Sequence, residues 1–395
     1  MSLLRAAAGF VAVAAAMFVL SPATTIGAAD DGRAATPPMG WNSWNKFGCD
    51  VSESLIREMA DAMVATGMQR AGYQFIVIDD CWQVDRTASG QIVPDPQRFP
   101  NGMRALGDYI HARGLKFGVY SDVGTKTCQG RPGSHDYERQ DATAYASWGV
   151  DYVKYDWCAS DGIDAKVSYT RMRDALDATG RSIVFSMCEW GVSKPWLWAR
   201  GVGHLWRTTD DILDCWDCKD EYNSMGFTKL LDINEPYARY AGPGGWNDPD
   251  MLEVGNGGMS VAEYRAHFSL WALMAAPLMA GNDVRSMSDD TKTILMNADV
   301  IAIDQDVLGR QGSRIRDDGD FEVWSKPLAD GGWAVILFNR SAAPHAIHAS
   351  WAEIGLTKPP SQVRDLWTHQ LVTPAADGLT ATVPSHDVLM VRITP

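Results

Sequence analysis

Eight short apolar runs dominate the pattern of this chain between residue 37 and about residue 300. Each run ends in polar, aromatic or acidic residues and is followed by an amphipathic stretch. The runs are MGWNSW, FIVIDDCW, KFGVYSDVG, VDYVKYDWC, SIVFSMCEW, HLWRTTDDI, GGWNDPDM and APLMAGNDV. Near-continuous apolar strands that alternate with helices imply a parallel sheet, and eight units predict an α/β fold of the (β/α)8 TIM-barrel type. An open doubly wound sheet is the alternative, but its Gly-rich phosphate-binding turn is missing from the sequence.

Two further segments complete the predicted architecture. Asp50-Val-Ser-Glu53 has the spacing of a capping box, and the apolar residues from Leu55 to Val64 recur at helical spacing, which predicts a helix. Beyond about residue 308 the pattern changes to short alternating runs separated by Gly, Pro, Asp and Asn. This pattern of short alternating runs predicts a C-terminal antiparallel β-sandwich. We therefore expect the (β/α)8 barrel over residues 30–308 and the sandwich over residues 309–395.

The first 29 residues have the layout of a secretory signal peptide. Arg5 precedes an uncharged apolar run from Ala6 to Leu20, and we expect cleavage after Ala28 or Ala29. No later segment has the roughly 18 uninterrupted apolar residues that a membrane-spanning helix needs. The formal charge of -14 disfavours nucleic acid and anionic membranes as partners, because phosphate carries the same sign. We expect a secreted or periplasmic protein.

The chain has seven cysteines, an odd number that predicts disulfides plus one free thiol in an exported protein. Zinc is a competing interpretation for Cys215-x-x-Cys218. No second pair of Cys or His residues stands at zinc-finger spacing, which disfavours it. Composition and spacing leave the pairing open.

The residues that close the apolar runs are the candidates for chemistry, because barrel active sites lie at the carboxyl ends of the strands. None of the eight histidines closes a run, although His204 precedes one. A His-based metal centre or triad is therefore disfavoured, and we expect neither a metal nor a cofactor. The closing residues are Trp41, Trp44, Asp79, Asp80, Trp82, Tyr120, Lys154, Asp156, Cys188, Glu189, Trp190, Arg207, Asp211, Asp248 and Asp250.

Carboxylates among tryptophans, without histidine, suit cleavage of a glycosidic bond. Strand alternation puts Lys154 and Asp156 on one side of their strand, and the ammonium is expected to lower the pKa of the carboxylate. The same alternation groups Arg207 with Asp211 and leaves Asp210 on the other face. An ion pair of Arg207 and Asp211 with a purely structural role at the barrel rim is the alternative.

Taken together, the motifs resemble the α-galactosidases (melibiases) of glycoside hydrolase family 27. The matching segments are TPPMGWNSWNKFGC, IDDCW, FGVYSDVG with KTCQGRPGS, VDYVKYDWC, MCEWG, WRTTDDI, GPGGWNDPDMLEVGNG and IAIDQDVLGRQG. They span about residues 36 to 313 in the family's order. The resemblance implies a (β/α)8 barrel followed by an antiparallel β domain, and a retaining hydrolase of terminal α-galactosides.

The resemblance also implies roles for single residues. Asp156 would be the nucleophile and Asp211 the acid/base, although the Asp at position 210 leaves an assignment shifted by one residue open. Asp79 and Asp80 would bind the O4 and O6 hydroxyls, and Glu189 a free 2-hydroxyl. The implied substrate-binding shell is Trp44, Asp79, Asp80, Tyr120, Lys154, Cys188, Glu189, Arg207, Asp250 and Met251.

The family pattern pairs Cys49 with Cys81 and Cys128 with Cys158. We expect Cys215–Cys218 as a third pair, which leaves Cys188 free. Pairing of Cys188 with Cys215 or Cys218 is the alternative.

The expected function is therefore that of a secreted retaining α-galactosidase. The alternatives are a β-L-arabinopyranosidase or an α-N-acetylgalactosaminidase on the same scaffold, a non-catalytic carbohydrate-binding protein, and a metal-dependent barrel hydrolase. The oligomeric state cannot be predicted from the sequence. Of the 16 tryptophans, the following are expected beside the pocket: Trp41, Trp44, Trp82, Trp157, Trp190 and Trp246.

Overall fold

The computed structural model describes residues 32–395, so the predicted signal peptide and its cleavage site lie outside the described residues. The strands are β1 (Met39–Asn42), β2 (Phe75–Ile78), β3 (Gln83–Arg86), β4 (Ile92–Pro94), β5 (Lys116–Asp122), β6 (Tyr152–Asp156), β7 (Val184–Met187), β8 (Leu205–Arg207), β9 (Trp246–Asp248), β10 (Leu278–Ala280), β11 (Ser313–Asp317), β12 (Phe321–Pro327), β13 (Trp333–Asn339), β14 (His345–Ser350), β15 (Gln362–Asp365), β16 (Gly378–Val383) and β17 (Asp387–Thr394).

The helices connect and cover these strands. They are α1 (Trp44–Phe47), α2 (Glu53–Thr66), α3 (Met68–Ala71), α4 (Gly102–His111), α5 (Glu138–Trp148), α6 (Ala165–Asp177), α7 (Phe227–Asn234), α8 (Val261–Leu273), α9 (Asp289–Leu295), α10 (Ala298–Asp304) and α11 (Trp351–Ile354). Short 3-10 helices lie at Pro195–Leu197, Glu235–Tyr240 and Val284–Ser286. None of the helices within residues 32–395 combines the length and the apolar character that crossing a membrane requires.

Eight parallel strands form one curled sheet in the order β10-β1-β2-β5-β6-β7-β8-β9. The sheet closes just beyond β9, where the amide of Leu252 donates to the carbonyl oxygen of Met279 at 2.8 Å. The amide of Gly281 in turn donates to the carbonyl oxygen of Leu252 at 3.2 Å. Each of the eight apolar runs contributes one strand, which confirms the predicted barrel.

Strand alternation sets the layers inside the barrel. Side chains that follow one another along a strand face opposite sides of the sheet. Val77 of β2, Tyr152 of β6 and Leu205 of β8 pack together in one buried apolar cluster across the barrel. We call this cluster the apolar floor. Asp79 and Lys154 stand two residues beyond Val77 and Tyr152, so their polar side chains lie in the next layer, on top of the floor.

The first long helix, α2, begins differently from the predicted capping box. Its N-cap is Ser52, whose hydroxyl accepts from the amide of Leu55 at 3.3 Å. The predicted box of Asp50 and Glu53 is wrong, because the Glu53 carboxylate instead accepts from the backbone amide and the side chain of Asn101 at 3.1 and 3.0 Å. Glu53 therefore holds the start of α4 against the start of α2.

The C-terminal part is the predicted antiparallel β-sandwich. Its larger sheet has the order β11-β12-β13-β17-β15, and β14 pairs with β16 in the second layer. Helix α8 is buried on nearly all sides because it lies between the barrel and the larger sheet. Arg265 of α8 forms an ion pair with Asp387 of β17, and the indole nitrogen of Trp367 donates to the Ser269 hydroxyl at 3.0 Å. The two parts thus share one continuous hydrophobic core.

Three disulfides lie in the loops at the carboxyl ends of the barrel strands: two connect different loops and the third closes a short turn within one loop. They are Cys49–Cys81, Cys128–Cys158 and Cys215–Cys218. Cys188 is a free, buried cysteine.

Candidate active site

The barrel strands carry most of the predicted polar residues to one end of the barrel. In the register of the parallel sheet, Tyr120 lies beside Lys154 and Arg207 beside Asp248. Lys154, Arg207 and Asp248 each stand two residues beyond a member of the apolar floor. Their side chains therefore extend into the space above that floor.

Lys154 and Asp79 form an ion pair at the base of this space. Nζ of Lys154 donates to Oδ2 of Asp79 at 2.8 Å, and the same oxygen accepts from Nδ2 of Asn42 at 2.7 Å. Burial alone would lower the pKa of Lys154, but Asp79 and further acidic neighbours hold it well above its usual value. The ammonium, which lies 5.4 Å from the centre of the Tyr120 ring, is therefore a permanent cation.

Asp80 is anchored to the backbone. Its Oδ1 accepts from the amide of Cys81 at 2.6 Å and its Oδ2 from the amide of Gln129 at 3.0 Å. Burial raises the pKa of Asp80. The carboxylate therefore fixes the loop after β5 against the end of β2.

Asp156 closes β6 and is buried, with 6% of its surface exposed. Its Oδ1 accepts from the amide of Trp157 at 3.0 Å, and its Oδ2 lies 3.6 Å from the sulfur of Cys128. Burial raises the pKa of Asp156 to about 7, Lys154 lowers it, and Asp211 raises it. The expected lowering of this pKa by Lys154 is therefore wrong as a net effect, because burial outweighs the ammonium.

Arg207 connects three other predicted residues. Its Nη2 lies 3.0 Å from Oδ1 of Asp211 and 3.1 Å from Oδ2 of Asp250, and its Nη1 lies 3.4 Å from the sulfur of Cys188. The Arg207 side chain is only 3% exposed, whereas that of Asp211 is 52% exposed. Burial alone would lower the pKa of Arg207, but Asp250, Cys188 and Asp211 raise it well above its usual value. The guanidinium thus holds one buried carboxylate and one that faces solvent.

The pairing of Arg207 with Asp211 was predicted from strand alternation, but the reason was wrong. Strand β8 ends at Arg207, and the following residues form a bend. The contact arises because this bend returns Asp211 to the guanidinium four residues earlier. Asp210 has no such contact with Arg207 among the described residues, and burial raises its pKa.

A cavity of about 550 Å3 opens above these residues. Five of the predicted site residues line it: Trp44, Lys154, Asp211, Asp250 and Met251. Asp79 and Arg207 contact this lining through their ion pairs with Lys154 and Asp250. Asp156 interacts electrostatically with Lys154 and Asp211, and the sulfur of Cys188 contacts Arg207.

Glu189 is the predicted residue least connected to the others. It is fully buried, its Oε2 accepts from the amide of Ser193 at 2.6 Å, and its Oε1 has no hydrogen-bond partner within residues 32–395. Burial raises the pKa of Glu189 to about 7. An unpartnered buried acceptor is costly, so a hydrogen-bond donor at this oxygen would be stabilising.

Two family models match most of the chain. A family model described as alpha galactosidase A matches residues 36–306, and one described as the alpha galactosidase C-terminal beta sandwich domain matches residues 318–393. The chain belongs to the α-galactosidase (melibiase) family. An α-galactosidase of Cyamopsis tetragonoloba is 52% identical over 370 residues, which cover 93% of this chain and 88% of the relative.

Solved structures of the α-galactosidase family share the fold over nearly the whole chain. α-Galactosidase I from Mortierella vinacea has a TM-score of 0.90 and 38% identity, and the match covers 92% of this chain and 98% of that one. A β-L-arabinopyranosidase from Geobacillus stearothermophilus has a TM-score of 0.81 and 25% identity, with coverage of 92% and 98%. The fold therefore carries more than one sugar specificity.

The six tryptophans expected beside the pocket divide into two groups. Trp41, Trp82 and Trp246 are fully buried in the core and offer no ring face to a ligand, so the expectation is wrong for them. The indole of Trp82 donates to the carbonyl oxygen of Tyr120 at 2.8 Å, which explains its inward position. Trp44, Trp157 and Trp190 are partly exposed, and Trp44 lines the cavity.

Three site residues were not predicted from the sequence. Asn42 donates to Asp79, and Glu253 lines the cavity and accepts from Asn45 at 2.5 Å. Asp122 lies next to Asp156 in the sheet register, and burial, reinforced by Asp156, raises its pKa to about 8. The Asp122 position in YSDVG, which ends an apolar run, was a signal that could have identified it.

The buried carboxyl groups predict how stability depends on pH. Burial raises the pKa of Asp156 and Glu189 to about 7 and of Asp122 and Glu253 to about 8. The folded protein therefore binds more protons than the unfolded chain between about pH 4 and pH 8, and its stability falls as the pH rises through this window. We expect Tm to be about 5 °C lower at pH 8 than at pH 5.

Calorimetry on the free protein at both pH values measures this difference. Glu253→Gln, which removes one of the titrating groups, should reduce it. A Tm that stays level or increases from pH 5 to pH 8 would contradict the assigned protonation states.

Proposed function

We propose that this protein is a secreted α-galactosidase that releases terminal α-D-galactosyl residues with retention of configuration. The observation that carries the proposal is the pair of carboxylates Asp156 and Asp211. Asp156 is buried and its pKa is lowered by Lys154 and raised by Asp211, whereas Asp211 is half-exposed and forms an ion pair with Arg207. Retaining glycosidases need one nucleophilic carboxylate and one acid/base, about 5–5.5 Å apart.

Asp156 acts as the nucleophile in this scheme. The amide of Trp157 fixes Oδ1, which leaves Oδ2 to attack the anomeric carbon. A bond forms between Oδ2 and that carbon as the bond to the glycosidic oxygen breaks, which gives a covalent galactosyl-enzyme. Lys154 favours the ionised form of Asp156 that this attack requires.

Asp211 acts as the acid and then as the base. Its exposed carboxyl group protonates the departing oxygen in the first step and removes a proton from water in the second. Arg207 holds it at 3.0 Å and stabilises the carboxylate that serves as the base. Water then attacks the anomeric carbon and frees Asp156.

The preference for galactose is assigned to the base of the pocket. Asp79 and Lys154 provide an acceptor and a donor for the axial 4-hydroxyl of galactose, and the unpartnered Oε1 of Glu189 suits a free 2-hydroxyl. A glucoside would leave such buried groups unpaired, which costs free energy. The substrates proposed are oligosaccharides such as melibiose and raffinose, and galactomannan side chains.

Initial rates on three nitrophenyl glycosides test this proposal. We expect kcat/KM for the α-D-galactopyranoside to exceed that for the β-L-arabinopyranoside and for the α-N-acetylgalactosaminide by at least about 10-fold each. The arabinoside lacks the 6-hydroxyl group, and the galactosaminide has an acetamide in place of the 2-hydroxyl group, so each loses a hydrogen bond to the pocket. Full activity after exhaustive EDTA treatment is expected as well. A preference for the arabinoside would overturn the assignment to galactosides.

A further inference from the structure

The cavity beside the catalytic carboxylates extends beyond what a single galactosyl ring would contact. Its inner part contains Lys154 and Asp250, whereas Asn45, Lys46 and Asp214 line its outer part. Asp211 lines it as well and, at 52% exposed, faces solvent rather than the base. In a glycosidase the acid protonates the oxygen that joins the two sugars, so the space on the solvent side of Asp211 is where a leaving group would lie.

The outer wall is held in place by hydrogen bonds. The Glu253 carboxylate accepts from Nδ2 of Asn45 and from Nδ2 of Asn256, each at 2.5 Å. Asp214 accepts from the Tyr264 hydroxyl at 2.8 Å and from the amide of Gly258 at 2.5 Å. These contacts fix the orientations of Asn45 and Asp214 before any ligand arrives, which lowers the entropic cost of binding.

Lys46 and Asp214 give this outer part its chemistry. Lys46 is exposed and forms no hydrogen bond or ion pair within residues 32–395. It is near enough to Asp214 to lower the pKa of that carboxyl, although burial raises this pKa overall. A free ammonium donor that faces a fixed carboxylate suits a neutral ligand whose hydroxyl groups both accept and donate hydrogen bonds.

We propose that Lys46, Asn45 and Asp214 form a subsite for the leaving group, which recognises a second, uncharged sugar. The inference deepens the proposed function and rests on it. Among the described residues, Trp44 is the only aromatic side chain on the lining, so an aryl leaving group, which has no hydroxyls to offer, gains little from this wall. Lys46 and Asp214 determine substrate preference and take no part in the chemistry on the galactosyl ring.

The test compares melibiose, whose leaving group is a sugar, with α-D-galactosyl fluoride, whose leaving group is one atom. In Lys46→Met the ratio of kcat/KM for melibiose to kcat/KM for the fluoride should fall about 10-fold, the usual effect of one hydrogen bond to a charged group. Asp214→Asn keeps an acceptor for Tyr264 and should lower the same ratio about 3-fold, because only the charge is lost.

Lys126→Met is the matched control, since Lys126 is an exposed lysine in the loop after β5 and does not line the cavity. Its ratio should stay within about twofold of the wild type, because no contact with the leaving sugar is lost. An unchanged ratio in both Lys46→Met and Asp214→Asn would overturn the subsite. If the wild type fails to hydrolyse the fluoride, the proposed function itself is wrong, so the two failures are distinguishable.

Discussion

Replacing Asp156 by glycine is expected to lower kcat on nitrophenyl α-D-galactopyranoside by at least about 10⁴-fold, because no other group can form the covalent intermediate. Galactose binding should be largely retained, since the ion pair of Lys154 with Asp79 does not depend on Asp156. Steady-state kinetics and calorimetric titration with galactose measure the two quantities.

Chemical rescue separates this role from a structural one. Azide fits the space left by the missing carboxymethyl group and can attack the anomeric carbon of an activated galactoside from the same face, which gives β-galactosyl azide. We expect azide to restore turnover to Asp156→Gly but to leave the activity of Asp161→Asn unaffected, since Asp161 is an exposed aspartate in the loop that follows β6. Activity of the glycine variant above about 1% of wild type without azide would refute the nucleophile assignment.

Replacing Asp211 by asparagine should produce a loss that depends on the leaving group. Hydrolysis of melibiose, whose leaving oxygen must be protonated, is expected to slow by about 10³-fold, within the usual range for a general acid. The first step with α-D-galactosyl fluoride or a dinitrophenyl galactoside needs no proton and should keep most of its rate. Pre-steady-state measurement of phenol release separates the two steps.

The Asp211→Asn variant should also shift the pH profile of kcat/KM to lower pH. The charge of Asp211 raises the pKa of Asp156, so its removal should shift the acid limb of kcat/KM on the dinitrophenyl galactoside to lower pH by about one unit. Asp210→Asn serves as the control. The acid limb of its kcat/KM profile should shift less, because Asp210 is not among the main influences on the pKa of Asp156. A larger leaving-group effect in Asp210→Asn would reassign the acid by one residue.

The barrel and the sandwich could be predicted from the sequence because their signals are local. Each of the eight apolar runs contains one strand of three to seven residues, with polar, aromatic or acidic residues at or just beyond its end. The polar layer at Lys154 follows from the same alternation along β6.

The protonation state of the nucleophile could not be predicted in this way. The lowering effect of Lys154 on the pKa of Asp156 was visible as a spacing of two residues, but the stronger opposing effect is burial in the assembled fold. The loop after β5 contributes to this burial, since its Cys128 sulfur lies 3.6 Å from Oδ2 of Asp156. Desolvation depends on the assembled fold and has no local signature.

Tertiary contacts also decided which aromatic and polar residues reach the pocket. Trp82 lies near a strand end, as Trp44 does, but its ring packs edge-on against Trp148 of α5. It is therefore buried in the core and does not line the cavity. Glu253 enters the cavity through a loop that continues beyond β9 and closes the barrel. No spacing rule connects Glu253 with Asn45, which is 208 residues away in sequence.

The role of Asp156 as the nucleophile can be tested by identifying the residue that becomes covalently modified during the reaction. A galactosyl fluoride with a second fluorine at C5 slows both steps but keeps a good leaving group, so the galactosyl-enzyme accumulates and can be found by peptide mass spectrometry. One adduct is expected, on the peptide that contains Asp156, and a normal adduct yield is expected in Asp211→Asn. An adduct on Asp211 or Asp210, or turnover of the reagent without any adduct, would contradict this role of Asp156.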